Sequence, residues 1–289
     1  MMSKELKDSV YKLLVCPVCK GKLDFYLDKE CFCKGCSTGY PIQDEVINFL
    51  SKDGDKPDID NIRLESKLKI FLRKVYMAIK VSNTFKTKRN KNRIPNLINS
   101  LNTDDFSINI GAGNTNYSPK IINLDVEKTE NGDIIADGRN LPIRSNSVSL
   151  VISQAVLEHT PDTNLNIAEM ERILKNNGLL YIEVPWMQTY HAHPHDYFRF
   201  THQGLESYLK NFDMIEKGIS VGPASAMSLN LRIFLATLFS FGNKNLFVLL
   251  GVIFGWLTFP LKFLDFFTEN NPLSYNSASG IYVLARKKD

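Results

Sequence analysis

The stretch that decides the fold is residues 107–160, SINIGAGNTNYSPKIINLDVEKTENGDIIADGRNLPIRSNSVSLVISQAVLEHT. Ser107-Ile108-Asn109-Ile110 reads as a short strand that runs into a glycine loop, Gly111-Ala112-Gly113-Asn114. A second apolar strand, Ile121 to Leu124, ends on Asp125, and a third, Asp133 to Ala136, ends on Asp137. A fourth, Val148 to Ser153, runs into Gln154-Ala155-Val156-Leu157-Glu158-His159. Acidic groups thus recur at strand C-termini, where open parallel sheets bind ligands. Glycine lets the backbone approach a ligand that a Cβ would exclude. A carboxylate after the second strand can accept both ribose hydroxyls of a nucleoside, and one a strand further can accept from an adenine amino group. Gly-Ala-Gly alone says little, but the series of loop, two spaced acids and Leu-Glu-His together predicts a Rossmann-like α/β fold that holds a nucleoside cofactor.

Working outward, only Asn114 to Lys120 separates the glycine loop from the second strand. A helical crossover needs roughly ten or more residues, so the first helix is expected to be one turn or absent. Further strands are expected at Leu179 to Val184, Phe212 to Val221 and Ile281 to Arg286, which makes a seven-stranded sheet.

"DGRNLPIRSNSVSLVISQAVLEHT" and "MERILKNNGLLYIEVP" resemble the small-molecule methyltransferase family often called type 11, a branch of the class I S-adenosylmethionine (SAM) methyltransferases. The resemblance covers roughly 107–221 and returns at 280–287, within an expected methyltransferase domain of 95–289. It implies SAM as cofactor and places Gly111, Ala112, Gly113, Asp125, Asp137 and Gln154 around it.

All five cysteines precede residue 37, which marks a local site rather than a disulfide framework. Cys16, Cys19, Cys33 and Cys36 form C-x2-C-x13-C-x2-C, and four thiolates on two tight knuckles suit structural Zn2+. The intervening GKLDFYLDKECF reads as a hairpin, with Cys31 a spare buried thiol. Residues 1–50 resemble a small zinc-ribbon activator family that partners tRNA and protein methyltransferases. The resemblance rests on Cys-Pro-x-Cys and on Tyr40-Pro41-Ile42-Gln43-Asp44. It implies a stabilising, non-catalytic module, here fused to a methyltransferase.

The net charge of +4 hides an asymmetry. Arg63 to Arg93 holds eleven basic residues and one acid, Glu65, so the rest of the chain is negative by about six. Within the linker region 51–94, Leu64, Leu68, Phe71, Leu72, Val75 and Ile79 recur at helical spacing between lysines and arginines. Such a basic amphipathic helix packs on a core, lies on an anionic membrane surface, or follows RNA phosphates; membrane is preferred here to RNA. An apolar insert, 228–268, contains LNLRIFLATLFSF (229–241) and LFVLLGVIFGWLTFPL (246–261) around the turn Gly242-Asn243-Lys244-Asn245. The longer run falls short of the roughly 20 residues that span a bilayer. Two readings stand: a helical hairpin dipping into one leaflet, or a cap that buries its apolar face on the sheet. The N-terminus lacks an apolar signal core. The expected place is therefore the cytoplasm, peripheral on the inner face of the cell membrane.

The acceptor should sit in the loops after the fourth and fifth strands. No Asn/Asp-Pro-Pro-aromatic motif follows strand four, which argues against methylation of a base's exocyclic amine. No cysteine outside the ribbon can serve as the nucleophile of pyrimidine C5 methylation. What remains suits transfer to oxygen, which needs alignment and a base for the hydroxyl proton. The loop HAHPHDYFRFTHQGL supplies His191, His193 and His195, then Asp196 and Arg199. A histidine beside a carboxylate suits a general base near neutral pH, and Arg199 suits a bidentate hold on an acidic or sugar group. A metal across the three alternating histidines is a rival with an incomplete ligand set. HPHDYFRFTHQGL also resembles bacterial methyltransferases often encoded with cell-surface glycan assembly enzymes. That implies His195, Asp196, Tyr197 and Arg199 at the acceptor site, with His159 in the cleft, and a sugar or lipid-linked saccharide as acceptor. The alternatives are an rRNA or tRNA methyltransferase, or a non-catalytic adaptor whose methyltransferase fold is degenerate.

Overall fold

The computed structural model describes residues 10–26, 29–50, 81–102, 105–118 and 121–289. The amphipathic pattern of Leu64 to Ile79 lies outside them. The core is one sheet of β1 (Leu23–Tyr26), β2 (Glu30–Cys33), β3 (Thr38–Gln43), β4 (Val46–Asn48), β5 (Ser107–Ile110), β6 (Ile121–Asp125), β7 (Ile134–Ile135), β8 (Val148–Gln154), β9 (Leu174–Pro185), β10 (Phe212–Val221) and β11 (Gly280–Lys287). The order across it is β1-β2-β3-β4-β7-β6-β5-β8-β9-β11-β10. From β7 to β9 every pairing is parallel, and the last two strands turn antiparallel. The chain leaves β5 toward β6 and later returns to its other side with β8. The crevice at the carboxyl end of β5 is therefore the switch point where open sheets hold ligands.

Alternation along the strands explains the layering. Leu180, Ile182 and Val184 of β9 face one cluster of apolar side chains, while Leu179 and Tyr181 face another. Strands buried on both faces read as near-continuous apolar runs, as Val148-Ser149-Leu150-Val151-Ile152 does. On one face lies helix α1 (Lys88–Asn99), which buries Ile94 and Ile98 one turn apart. On the other lies α2 (Thr163–Ile173), which starts where Asp162 accepts a hydrogen bond from the Leu165 amide and buries Ile167, Met170 and Ile173. Among the described residues no helix stands between β5 and β6, in line with the short spacer.

The sheet does not stop at the seven strands expected of it. β4 adds to β7 in parallel, Ile47 opposite Ile134 and Asn48 opposite Ile135, and β3 links β4 to the ribbon hairpin. Leu13, Leu14, Tyr40, Ile42, Ile47 and Phe49 share one core with Ile134, Ala136, Leu141 and Ile143.

The apolar insert is built the other way round. Helix α3 (Pro223–Ser240) and helix α4 (Lys244–Thr258) pack with Ser225, Ser228, Arg232, Ser240, Gly251, Gly255 and Thr258 inside. Phe234, Leu238, Val248, Leu249, Ile253, Trp256 and Leu257 are exposed. The cap reading is corrected on this point, because these apolar faces point away from the protein. Inside, Asn83 binds Ser228 Oγ (2.8 Å), the Gly255 carbonyl (3.0 Å) and Thr258 Oγ1 (3.0 Å), and it accepts from Arg232 (3.2 Å). Asp265 caps α3 by accepting from the Ala224 (2.7 Å) and Ser225 (3.0 Å) amides. The run Lys244–Thr268 is long and apolar enough to cross a membrane, by length and composition.

Candidate active site and metal centre

At the switch point a cavity of about 570 Å³ is lined by residues from the ends of four strands and by the loop after β9. Gly111 has φ +65°, and a Cβ there would stand 2.3 Å from Val156 Cγ2, so only glycine fits. Gly113, φ +53°, has open space where its Cβ would be, which leaves backbone free to meet a ligand. Its amide donates to Asp125 Oδ2 (2.8 Å), and the Glu127 amide donates to Oδ1 (3.1 Å). The loop thereby presents Asp125 at the cavity wall with lone pairs to spare.

Asp137 lines the same cavity but is clasped by Arg139, with Nη2 2.6 Å and Nε 3.0 Å from Oδ2. The tight turn Asp137-Gly138-Arg139 brings the guanidinium back onto the carboxylate. Two residues of the expected cofactor set lie off the wall. Ala112 is buried beneath the loop, its amide on the Leu124 carbonyl. Gln154 turns to Glu183 Oε2 (2.7 Å) and to the Tyr117 hydroxyl, and Lys86 closes on Glu183 at 2.5 Å.

The acceptor-side loop departs further from expectation. His193, His195 and Tyr197 line the cavity together with His159. Asp196, however, does not support His195. It is buried against Arg199, with Oδ2 2.6 Å from Nη2, and accepts from the His191 amide at 2.8 Å. The half-buried Arg199 guanidinium, hydrogen-bonded to it, holds the Asp196 carboxyl down to about 2. Arg199 spends its remaining donors on the Gln188 (3.0 Å), Thr189 (3.0 Å) and Phe198 (2.8 Å) carbonyls. The pair therefore sets the shape of the loop and is not offered to a ligand. The spacing i, i+3 that allows this was visible in the sequence.

One residue escaped the sequence reading. Glu158 is fully buried, and among the described residues neither carboxylate oxygen has a hydrogen-bond partner. Its backbone carbonyl accepts from the Tyr197 amide (2.7 Å), which ties the loop down over it. Its signal was its place in Leu157-Glu158-His159, where the sequence reading gave a role to His159 alone.

In the ribbon, Cys16, Cys19, Cys33 and Cys36 converge, with their Sγ atoms all within 4.8 Å of one another. Positive φ at Lys20 (57°) and Ser37 (56°) turns each knuckle, and Gly21 leaves its Cβ position 3.1 Å from Cys19 Sγ. A side chain there would press on the thiolate. The set fits a closed tetrahedral Zn2+. Cys31 lies outside it, fully buried.

Comparison with known proteins follows this division. Residues 112–182 match the family described as methyltransferase domain. The N-terminal module is 41% identical over 46 residues to a UPF0434 protein of Methylobacillus flagellatus, covering 16% of this chain and 77% of that one. It is 38% identical over 56 residues to the UPF0434 protein azo1471 of Azoarcus sp., covering 18% and 90%. The chain belongs to the UPF0434 family through this module, which is fused to a methyltransferase domain. Among solved structures it is similar to Haemonchus contortus phosphoethanolamine N-methyltransferase 2 in complex with SAM, at 16% identity and TM-score 0.46, over 78% of this chain and 58% of that one. It is also similar to the YcgJ protein of Bacillus subtilis, at 10% identity and TM-score 0.44, over 70% and 100%. The enzyme is a SAM-dependent methyltransferase that carries a structural zinc ribbon.

Proposed function

We propose that this methyltransferase transfers a methyl group to a hydroxyl of a sugar or lipid-linked saccharide at the cytoplasmic face of the membrane. The observation that carries the reading is the shared cavity: His195 and Tyr197 line it together with Gly113 and Asp125. Asp125 holds the ribose hydroxyls, and Asp137, steadied by Arg139, faces the adenine. Bound SAM supplies an electrophilic methyl group on a sulfonium. The acceptor hydroxyl lies in the same cavity, and the His195 imidazole takes its proton, since Asp196 is already spent on Arg199. Tyr197 offers a ring face to a sugar.

The insert supports the membrane part of the reading. Two helices with polar groups inside and phenylalanine, leucine and tryptophan outside suit an apolar medium, and the surface they present far exceeds what single scattered hydrophobes need. Lys244 at the hairpin turn suits anionic headgroups. RNA is the less favoured partner: Arg93 is spent on Glu216 (2.7 Å) and stacks on Tyr282 (3.9 Å), and Lys86 is spent on Glu183.

Glycan mass spectrometry of a deletion strain beside its parent tests the reading. The expected result is loss of one methyl mass from a surface polysaccharide, restored by wild type but not by His195→Ala or Asp125→Ala. An unchanged glycan profile with a missing rRNA methyl mark would sink it.

A further inference from the structure

Beside the cavity, three side chains stand as a metal site stands. Glu158 Oε1 is 3.8 Å from His159 Nε2 and 3.8 Å from His191 Nε2. One ligand atom from each of the three lies within 4.8 Å of the others. The two imidazoles meet nearly at right angles, 88° between planes, so that both Nε2 atoms converge on the carboxylate.

Their other nitrogens are already committed. His159 Nδ1 is 2.6 Å from the His195 carbonyl, and His191 Nδ1 is 2.9 Å from the Thr189 carbonyl. A carbonyl can only accept, so each Nδ1 carries a proton and each Nε2 is the nitrogen left to face Glu158. Arg199 Nη2 also lies 3.2 Å from His191 Nδ1, but its protons go to Asp196 and to the same Thr189 carbonyl. Backbone carbonyls that fix the tautomer and orientation of an imidazole are the usual outer shell of metal-binding histidines.

Glu158 makes the case independent of the histidines. A fully buried carboxylate with no hydrogen bond to either oxygen is costly in a folded protein. A cation placed between the carboxylate and the two Nε2 atoms, each 3.8 Å from Oε1, relieves that cost.

We propose that Glu158, His159 and His191 bind one divalent transition cation of the zinc type, separate from the ribbon zinc. Three protein ligands, two imidazoles and one carboxylate, leave an open position, as catalytic zinc sites do. Tetrahedral bonds of about 2.1 Å put neighbouring ligand atoms about 3.4 Å apart, so the 3.8 Å gaps to the carboxylate need only a small closure and the two imidazoles, with ligand atoms within 4.8 Å, must draw together as the ion binds. The open side faces the cavity, because His159 is one of its walls.

The role deepens the O-methylation reading and rests on it. An acceptor hydroxyl in the open position is acidified as zinc-bound water is. Its O–H bond breaks toward His195, its oxygen forms the new bond to the SAM methyl carbon, and the carbon–sulfur bond breaks with its electron pair on sulfur. Methyl ether, S-adenosylhomocysteine and one proton result.

The test counts metal on the full chain, without any acceptor. Zn2+ and, separately, Co2+ are added to freshly prepared protein, unbound ion is removed by dialysis, and bound metal is measured. Wild type should hold about two ions per chain, one of them in the four-cysteine ribbon. Glu158→Gln and His191→Ala should each hold about one, with affinity for the second ion at least ~100-fold weaker. Glu158→Gln keeps the shape and removes the buried charge, and His191 sits in a surface loop. A near-normal melting temperature in both variants shows that neither loses the ion by unfolding. One ion in wild type with either metal overturns the proposal and leaves the saccharide reading standing. Two ions in wild type beside an unchanged glycan profile overturns the saccharide reading and leaves the metal site standing.

Discussion

The zinc ribbon and the apolar hairpin are both additions to the same sheet, and they solve opposite problems. The ribbon is too small to bury a core of its own, so it uses a metal and a borrowed one. Its β4 continues the parallel ladder at β7, and its Leu14 bridges Ile143. The hairpin has apolar surface in excess and keeps it outside, around a polar interior of Asn83, Ser228, Arg232 and Thr258. A region packed by water's exclusion puts its hydrocarbon inward. One that puts it outward is shaped for a different surrounding. The same chain thus uses one principle with opposite sign at two places.

Taking the zinc away should have the largest effect. Zinc binding in small fingers is worth on the order of 10 kcal/mol. Because the ribbon core is continuous with that of the catalytic sheet, chelation or Cys33→Ser should destabilise the whole chain by at least about 5 kcal/mol, or about 10–20 °C in Tm. Calorimetry should show one transition that moves as a unit. A methyltransferase transition that stays put while a small one vanishes would break the contrast, making the ribbon a bead on a string.

Next is the buried arginine of the hairpin. Arg232→Ala strips Asn83 Oδ1 of its partner and should cost about 2–4 kcal/mol. Denaturation in detergent reads it. A cost below ~0.5 kcal/mol, the range of an ordinary surface substitution, would mean the polar interior holds nothing together.

The seam between ribbon and sheet is milder and depends on pH. Lys20 from the first knuckle meets Glu169 at 3.0 Å, and Arg172 meets the same carboxylate at 2.6 Å. The pair is unequal. Burial lowers the Lys20 ammonium despite its partner. Burial alone would raise Glu169, but hydrogen bonds from Arg172 and Lys20 outweigh it and hold its carboxyl below the usual value near 4.5. A carboxyl lowered by folding stabilises above its unfolded pKa, and that stability is lost as pH falls through the lowered one. Glu169→Gln should cost about 1–3 kcal/mol at about pH 7 and lose part of this cost below about pH 4. Chemical denaturation at both pH values measures the difference. An equal cost at both would show that the charge is idle.

Legibility follows the same contrast. The cofactor half was readable because its logic is local: each acid sits at the end of its own strand, as Asp125 and Asp137 do. The four ribbon cysteines were readable for the same reason. The joining of β4 to β7 was not, because it pairs Ile47 with Ile134 across a long separation that no sequence period encodes. The acceptor loop misled in a specific way. His195-Asp196 looks like a base and its orienting acid, but a carboxylate three residues before an arginine in an irregular loop finds that arginine first. Glu158 was passed over because burial, not identity, makes it unusual.

The smallest expected effect on stability is the sharpest test of the hairpin. Leu249 and Leu257 lie on its outer face, more than half exposed. Surface substitutions away from buried partners usually change stability by no more than ~0.5 kcal/mol. Leu249→Glu with Leu257→Glu should therefore leave the melting temperature nearly unchanged. Their burial in lipid is another matter, since a fully buried large apolar side chain contributes about 1.5–3 kcal/mol. Sedimentation with phosphatidylglycerol–phosphatidylcholine vesicles should show at least a ~10-fold loss of binding in the double variant, about 1.4 kcal/mol or more. If instead the variant melts several degrees lower and wild type ignores vesicles, those side chains face protein, and the hairpin's outward hydrocarbon must be covered by a second polypeptide.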